Sequence, residues 1–302
     1  MIIRYKNLLA VILLFAFFKA NAQQLPQYSQ YMINDYVINP AVAGKNSYYE
    51  ALSSNRYQWA GITDAPRTYI LSLDGPLKSK NVGLGGYVFT DITGPTRRTG
   101  FYGSYAYHIK LNEKLRLSMG LSGGLLQFAV DGSQITLHDA ATDPAFSKAL
   151  QSTLIPDFGF GTYLYSTDHK FYLGISAPQL LQNKLKFFDV ATSSLSKLTT
   201  HGYITGGYRF DINDDYTIEP ATIIQLSDAS PIQVDIGART IYKKMVWLGV
   251  SYRTQDAVSA MLGYCYQNYL MISYSYDFVT SDIGKYSTGT HEIVLGIKFN
   301  KK

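Results

Sequence analysis

From Tyr48 to the C-terminus the chain alternates apolar and polar residues with a period of two, in fourteen segments of about ten residues. They span roughly 48–57, 67–74, 82–90, 97–109, 114–126, 155–166, 169–177, 199–210, 216–225, 232–241, 245–252, 257–266, 270–277 and 291–299. Period two sends successive side chains to opposite faces of an extended strand, and apolar residues do not recur at the three-and-four spacing a helix needs. In 114–122, Leu115, Leu117, Met119 and Leu121 share one face, while Arg116, Ser118, Gly120 and Ser122 share the other. Ile232, Val234, Ile236 and Ala238 oppose Gln233, Asp235, Gly237 and Arg239, and Ile293, Leu295 and Ile297 oppose Glu292, Gly296 and Lys298. Such strands build either a soluble sandwich, apolar face inward, or a membrane barrel, apolar face outward. Alternation alone does not separate the two.

Three other features do. First, Arg4 and Lys6 precede an apolar run from Leu8 to Phe18, followed by Ala20-Asn21-Ala22. That order is an export signal, so residues 1–22 are expected to be removed and the mature chain to begin at Gln23. The run is too short to span a bilayer, and none after it is longer. Second, the chain holds 26 Tyr and 25 Gly but only 2 Trp. Tyr, with an apolar ring and a polar tip, suits a boundary between oil and water. Third, the connections alternate in length. Short ones fall near Asp74–Asn81, Lys110–Glu113, Thr167–Asp168, Asp211–Asp215, Lys243–Lys244 and Gln267–Tyr269. Longer ones fall near Gln58–Pro66, Asp91–Thr96, Gln127–Leu154, Pro178–Leu198, Leu226–Pro231, Arg253–Asp256 and Phe278–Thr290. Short periplasmic turns and long outer loops are the habit of outer-membrane barrels. The expectation is all-β: a transmembrane antiparallel β-barrel of about 14 strands, both termini periplasmic, in the outer membrane of a Gram-negative bacterium. Residues 48–302 form the barrel and residues 23–47 an N-terminal periplasmic or lumenal segment. Leu115, Leu117, Ile293, Leu295 and Ile297 should face lipid, and Arg116, Arg239, Glu292 and Lys298 the lumen. Gly83, Gly85, Gly120, Gly159, Gly161, Gly237 and Gly249 share the inward phase and leave room inside.

The remaining composition excludes several functions. Removing Arg4, Lys6 and Lys19 lowers the formal charge from +5 to +2, which leaves no basic footprint for nucleic acid. One cysteine, Cys265, permits no internal disulfide. His108, His138, His169, His201 and His291 are scattered without metal-ligand spacing. The acidic run at 211–216 has Tyr216 and Thr222 where a calcium loop needs Gly and Glu, so a solvated turn is expected. No nucleophile elbow or phosphate loop is present. No enzyme activity, cofactor or metal is expected.

The first mature segment breaks the alternation. It carries Tyr28-Ser29-Gln30-Tyr31-Met32, Asn39-Pro40-Ala41 and Ala43-Gly44, and downstream stand Arg56, Gln58, Trp59, Gly61 and Ala65-Pro66-Arg67-Thr68. In that order these pieces resemble the PorP/SprF family of outer-membrane proteins associated with type IX secretion; Val42 departs from the aromatic often found there. The resemblance implies a barrel that helps export, or hold at the cell surface, secreted proteins with a type B C-terminal domain, gliding adhesins among them. It also implies contact with motor, ring or peptidoglycan-binding proteins of the periplasm. The alternative is a diffusion channel for hydrophobic or small solutes. An Asn-Pro-Ala element ahead of the first strand resembles the lumenal hatch of fatty-acid-channel barrels.

The residues themselves suggest a plug. Pro40 cannot donate a ladder hydrogen bond. Gln30, Asn34 and Asn39 can satisfy backbone groups in a polar lumen, and Tyr28, Tyr31 and Tyr36 can fill it. The same plug could expose its Gln23 end to a partner in the periplasm. A disordered periplasmic tail is the other possibility. Arg56, Gln58, Trp59, Pro66 and Arg67 flank the first outer loop. They are either a client-binding rim or an anchor in which Arg56 or Arg67 pairs with a lumenal carboxylate.

Overall fold

The computed structural model of the chain describes residues 27–78, 81–134, 150–181, 200–227 and 230–300. The expected signal segment, residues 1–22, lies outside them. In chain order the strands are β1 Tyr49–Tyr57, β2 Arg67–Pro76, β3 Val82–Thr93, β4 Thr96–Lys110, β5 Leu115–Asp131, β6 Leu150–Ser166, β7 Phe171–Ala177 and β8 His201–Tyr208. Then come β9 Phe210–Asp211, β10 Tyr216–Ser227, β11 Ser230–Tyr242, β12 Val246–Arg253, β13 Ala257–Tyr266, β14 Leu270–Val279 and β15 Thr290–Phe299. All neighbours pair antiparallel, and β15 pairs with β1 from Tyr49↔Phe299 to Tyr57↔His291. That pairing closes the ring and removes its edges, as a wall in lipid requires. Strands β8 and β9 are one stave interrupted at Arg209, since both pair with β10. The molecule is therefore a closed 14-strand antiparallel barrel, as the alternation predicts.

The strands differ from expectation mainly in length. Strands β5 and β6 run for 17 residues each and stay paired from Leu115↔Ser166 to Asp131↔Leu150. Five residues at each end of the expected loop 127–154 are thus ladder, held by cross-strand bonding where alternation has faded. Two connections expected to be long are tight, Gly94–Pro95 and Thr254–Asp256, and β11 begins three positions after the last residue of β10. The asymmetry between the two ends rests instead on residues 58–66, 132–149, 178–200 and 280–289.

The apolar faces point outward. Leu121, Ile232, Ile236 and Leu248 are more than 60 % exposed, whereas Ser118, Asp235, Arg253 and Glu292 are buried inside. Leu115, Leu117, Ile293, Leu295 and Ile297 share the outward phase, and Arg116, Arg239, Glu292 and Lys298 the inward one. Outward tyrosines collect toward the two ends of the wall: Tyr57, Tyr69, Tyr252, Tyr274 and Tyr276 at the long-loop end, and Tyr107, Tyr208, Tyr216, Tyr242 and Tyr266 at the short-turn end. An apolar band between two aromatic girdles is the surface a bilayer requires.

Candidate functional site

Residues 27–47 occupy the lumen. At one end Gln27 Nε2 donates to Gln233 Oε1 (3.1 Å), near the long-loop end of β11. At the other, Gly44 N donates to Asp74 Oδ2 (2.9 Å) before the chain enters β1 at the short-turn end. Between them Tyr31 OH donates to the Ala221 carbonyl (3.1 Å), Tyr36 OH to Ser104 Oγ (3.1 Å), and Ser176 Oγ to the Ile38 carbonyl (2.8 Å). The segment therefore runs the length of the barrel. The expectation of a Gln23 end on the same side as the strand entry falls on undescribed residues, but Gln27 already stands at the opposite end.

Local chemistry shapes the segment. Asn39 caps a 3-10 turn at Pro40–Val42, its Oδ1 accepting from Ala41 N (2.9 Å), with Pro40 at the first position where no amide hydrogen is needed. Asn39 Nδ2 donates across the lumen to the Thr162 carbonyl (3.0 Å). His108 on β4 holds the end of this turn: its Nε2 lies 2.9 Å from the Ala43 carbonyl and its Nδ1 2.9 Å from Tyr165 OH. A carbonyl only accepts, so the Nε2 carries the proton and Nδ1 accepts from the phenol. Gly44 adopts φ +71°, the left-handed turn that releases the chain toward β1.

Inward glycines form the cradle. A methyl at Gly120 would overlap the Ala41 backbone, one at Gly161 the Asn39 side chain, and one at Gly83 the Ala43 carbonyl. At Gly85 it would stand 2.5 Å from Tyr36 Cζ. The room these glycines leave is thus filled by the segment itself. Around it, Tyr36, Ala41, Val42 and Ala43 pack with Ala106, Tyr163 and Tyr165, and Tyr31, Met32 and Ile38 with Tyr203, Ala221 and Ile223.

The other anchor is a buried charged knot centred on Ser29. Arg56 Nη1 donates to Ser29 Oγ (2.7 Å) and Glu292 Oε2 (3.0 Å), and Nη2 to Asp277 Oδ2 (2.8 Å). Arg253 Nη2 reaches Ser29 Oγ (3.2 Å) and the Tyr28 carbonyl (3.3 Å). Ser29 N donates to Glu292 Oε2 (2.9 Å), and Arg253 also pairs with Asp235 (3.3 Å) and Asp256 (3.2 Å). Arg56, Arg253, Asp235, Asp277 and Glu292 are each 3 % exposed or less. Buried charges persist only when paired, so the knot ties the plug to β1, β12, β14 and β15 at once.

The candidates from sequence separate into three places. Tyr28, Tyr31, Asn39, Pro40 and Arg56 lie in the lumen, four of them buried and Tyr28 partly so. Gln58, Trp59 and Pro66 are half-buried in the first loop, where Gln58 N donates to the Pro66 carbonyl (2.9 Å) and Trp59 N to Thr290 Oγ1 (3.0 Å). Arg67 is exposed on the outer wall and meets no lumenal carboxylate. Sequence reasoning missed the anchoring roles of Ser29, Asp277 and Arg253; for Asp277 and Arg253 the available signal was a charge at the inward phase near the long-loop end of a strand.

Toward the short-turn end, two cavities of about 420 and 560 Å³ remain. The larger is lined by Tyr163, Tyr172 and Trp247 and by charges including Arg209, Glu219 and Arg239. Both guanidiniums bond Glu219 Oε2 at 3.1 Å. At the cavity edge Lys45 Nζ pairs with Asp35 Oδ2.

Residues 20–297 match the family model described as type IX secretion system membrane protein PorP/SprF. No curated protein matches the chain. Among solved structures it is similar to a Pseudomonas aeruginosa FadL homologue, with 13% identity and a TM-score of 0.48 over 92% of this chain and 95% of that one. The CymD monoaromatic hydrocarbon channel gives 12% identity and a TM-score of 0.46 over 91% and 92%. The KdgM porin gives 9% identity and a TM-score of 0.40 over 83% and 99%.

Proposed function

The chain belongs to the PorP/SprF family of type IX secretion system membrane proteins, and from that membership we propose that it is a non-enzymatic, plugged outer-membrane barrel that binds secretion clients and helps export or hold them at the cell surface. The clients are secreted proteins with a type B C-terminal domain, gliding adhesins among them. The short-turn end, with the strand entry and the C-terminus, faces the periplasm and its motor, ring or peptidoglycan-binding proteins; the long loops face outward. The observation that carries this reading is the lumen filled from Gln27 to Gly44 and tied at both ends. A barrel blocked by its own covalent segment is poorly suited to diffusion, and its exterior and loops remain for partners. Without such a block, fourteen strands would enclose an open bore.

Two measurements test it. Deletion of Gln23–Asp35 removes the Ser29 anchor and should raise ion conductance in planar bilayers while the barrel still assembles. Pull-down of the full chain from native outer membranes, read by mass spectrometry, should recover a protein with a type B C-terminal domain. Unchanged conductance on deletion would refute the seal, and recovery of no such protein would refute the client assignment.

A further inference from the structure

The outer wall is apolar by necessity, and the charges in the strands obey that rule with few exceptions. All of them sit at the inward phase except Arg67 on β2, Arg97 on β4 and Asp131 at the last position of β5. The two arginines stand on one cross-strand row, because Arg67 pairs with Ile92 and Ile92 with Arg97. Two strand steps separate their Cα atoms by about 10 Å, a gap that two long side chains can close over one polar group. Both are exposed, and among the described residues neither has a carboxylate partner. Their inward neighbours behave differently: Thr68 Oγ1 donates to Asp91 (2.7 Å), and Arg98 is paired with the same Asp91 (2.5 Å).

The rows beneath fix the height of the pair. The next outward row is Tyr69, Thr90 and Thr99, where the two threonine hydroxyls lie 3.2 Å apart and Tyr69 OH lies 3.4 Å from Tyr57 OH. The row after that is Leu71, Val88 and Phe101, exposed by 57 %, 40 % and 66 %. Hydrocarbon therefore ends between these two rows, and Arg67 and Arg97 stand one further row out, about 7 Å along the strand. That is head-group depth. An unpaired guanidinium there meets phosphate, whose planar oxygen pairs match its donor fork.

We propose that Arg67 and Arg97, with Tyr57 on the same row and the Tyr69, Thr90 and Thr99 hydroxyls in the row beneath, form a binding site for the phosphate of an outer-leaflet glycolipid. The assignment of leaflet rests on the orientation given under Proposed function; the phosphate contact does not. The site would seat the β1–β4 wall in the lipid at a fixed depth. It gives Arg67 a lipid partner rather than a client or a lumenal carboxylate.

The test is native mass spectrometry of the full mature chain in detergent, titrated with bisphosphorylated lipid A. Arg67→Gln/Arg97→Gln should weaken binding about thirtyfold, and the dephosphorylated lipid should bind the parent chain as weakly. Arg67→Lys/Arg97→Lys should retain part of the affinity, and heat-modifiable migration should show both variants folded. Undiminished binding by the glutamine variant, or by the dephosphorylated lipid, overturns the site. Displacement by millimolar inorganic phosphate would mean that a free anion and not a lipid is the ligand. Equal binding of phosphatidylglycerol would overturn the glycolipid. Orientation is read separately by labelling Asp64→Cys in whole cells with an impermeant thiol reagent, since the native Cys265 is buried. Failure to label would overturn the outer leaflet as the source and leave the arginine–phosphate contact standing.

Discussion

Replacing Arg56 by Met should release the plug without dismantling the barrel. The side chain is 3 % exposed and makes three charge-assisted bonds, to Ser29, Glu292 and Asp277, at 2.7–3.0 Å. Methionine fills similar volume but leaves Glu292 and Asp277 buried with Arg253 as their nearest remaining cation, 3.7 Å from Asp277. Breaking one side of a buried pair costs about 3–5 kcal/mol, chiefly because the partner charges stay behind. The β1 ladder does not use this side chain, so the loss falls on plug docking and moves its equilibrium by about two to four orders of magnitude. Planar bilayers should then show frequent openings where the parent chain is closed. Trypsin supplies a second readout, because Lys45 is the only Lys or Arg between Gln23 and Ser47. Cleavage there should accelerate in the folded variant. Adding Glu292→Gln should restore part of the docking, since it removes one of the stranded charges. A folded Arg56→Met protein with unchanged conductance and unchanged resistance at Lys45 would refute the knot as an anchor.

Other perturbations follow from the same geometry. Gly120→Val places side-chain atoms against Ala41 and should weaken plug docking by about 1–3 kcal/mol, read as conductance with the heat-modifiable band intact. His108→Leu removes the bonds to Ala43 and Tyr165 and strands a buried carbonyl, for a loss of about 1–3 kcal/mol, seen as a lower midpoint of urea unfolding from lipid vesicles. Leu121→Arg puts a charge on the lipid face at a cost of about 2–4 kcal/mol near mid-bilayer and should reduce the assembled fraction. Ser118, the inward control that alternation alone would nominate for an added Arg, is fully buried and has no room for it. The permissive control is Lys244→Glu in the exposed turn before β12, which should assemble like the parent chain.

Alternation is a local property, and what it determines is local. Each strand's existence and facing can be read from its own residues: Leu121 out and Ser122 in, Ile236 out and Asp235 in, Leu295 out and Glu292 in. The count of fourteen follows by addition, and closure by the absence of water in the membrane core to satisfy an open edge. The plug's chemistry was also visible, since Pro40 and the Asn and Tyr content mark a segment unfit for the wall. Its path was not. Ser29 meets Arg56, Arg253, Asp277 and Glu292, up to 263 positions away in the chain, and only the closed ring brings these side chains to one point. The alternatives left open for Arg56 and Arg67 part in the same way. The two residues share one hairpin, but Arg56 has the inward phase of β1 and meets buried carboxylates, while Arg67 has the outward phase of β2 and meets none. Sequence assigns a side chain to a face, but what that face meets depends on ring register and on the segment threaded through it, which are set by bonds between residues far apart in the chain.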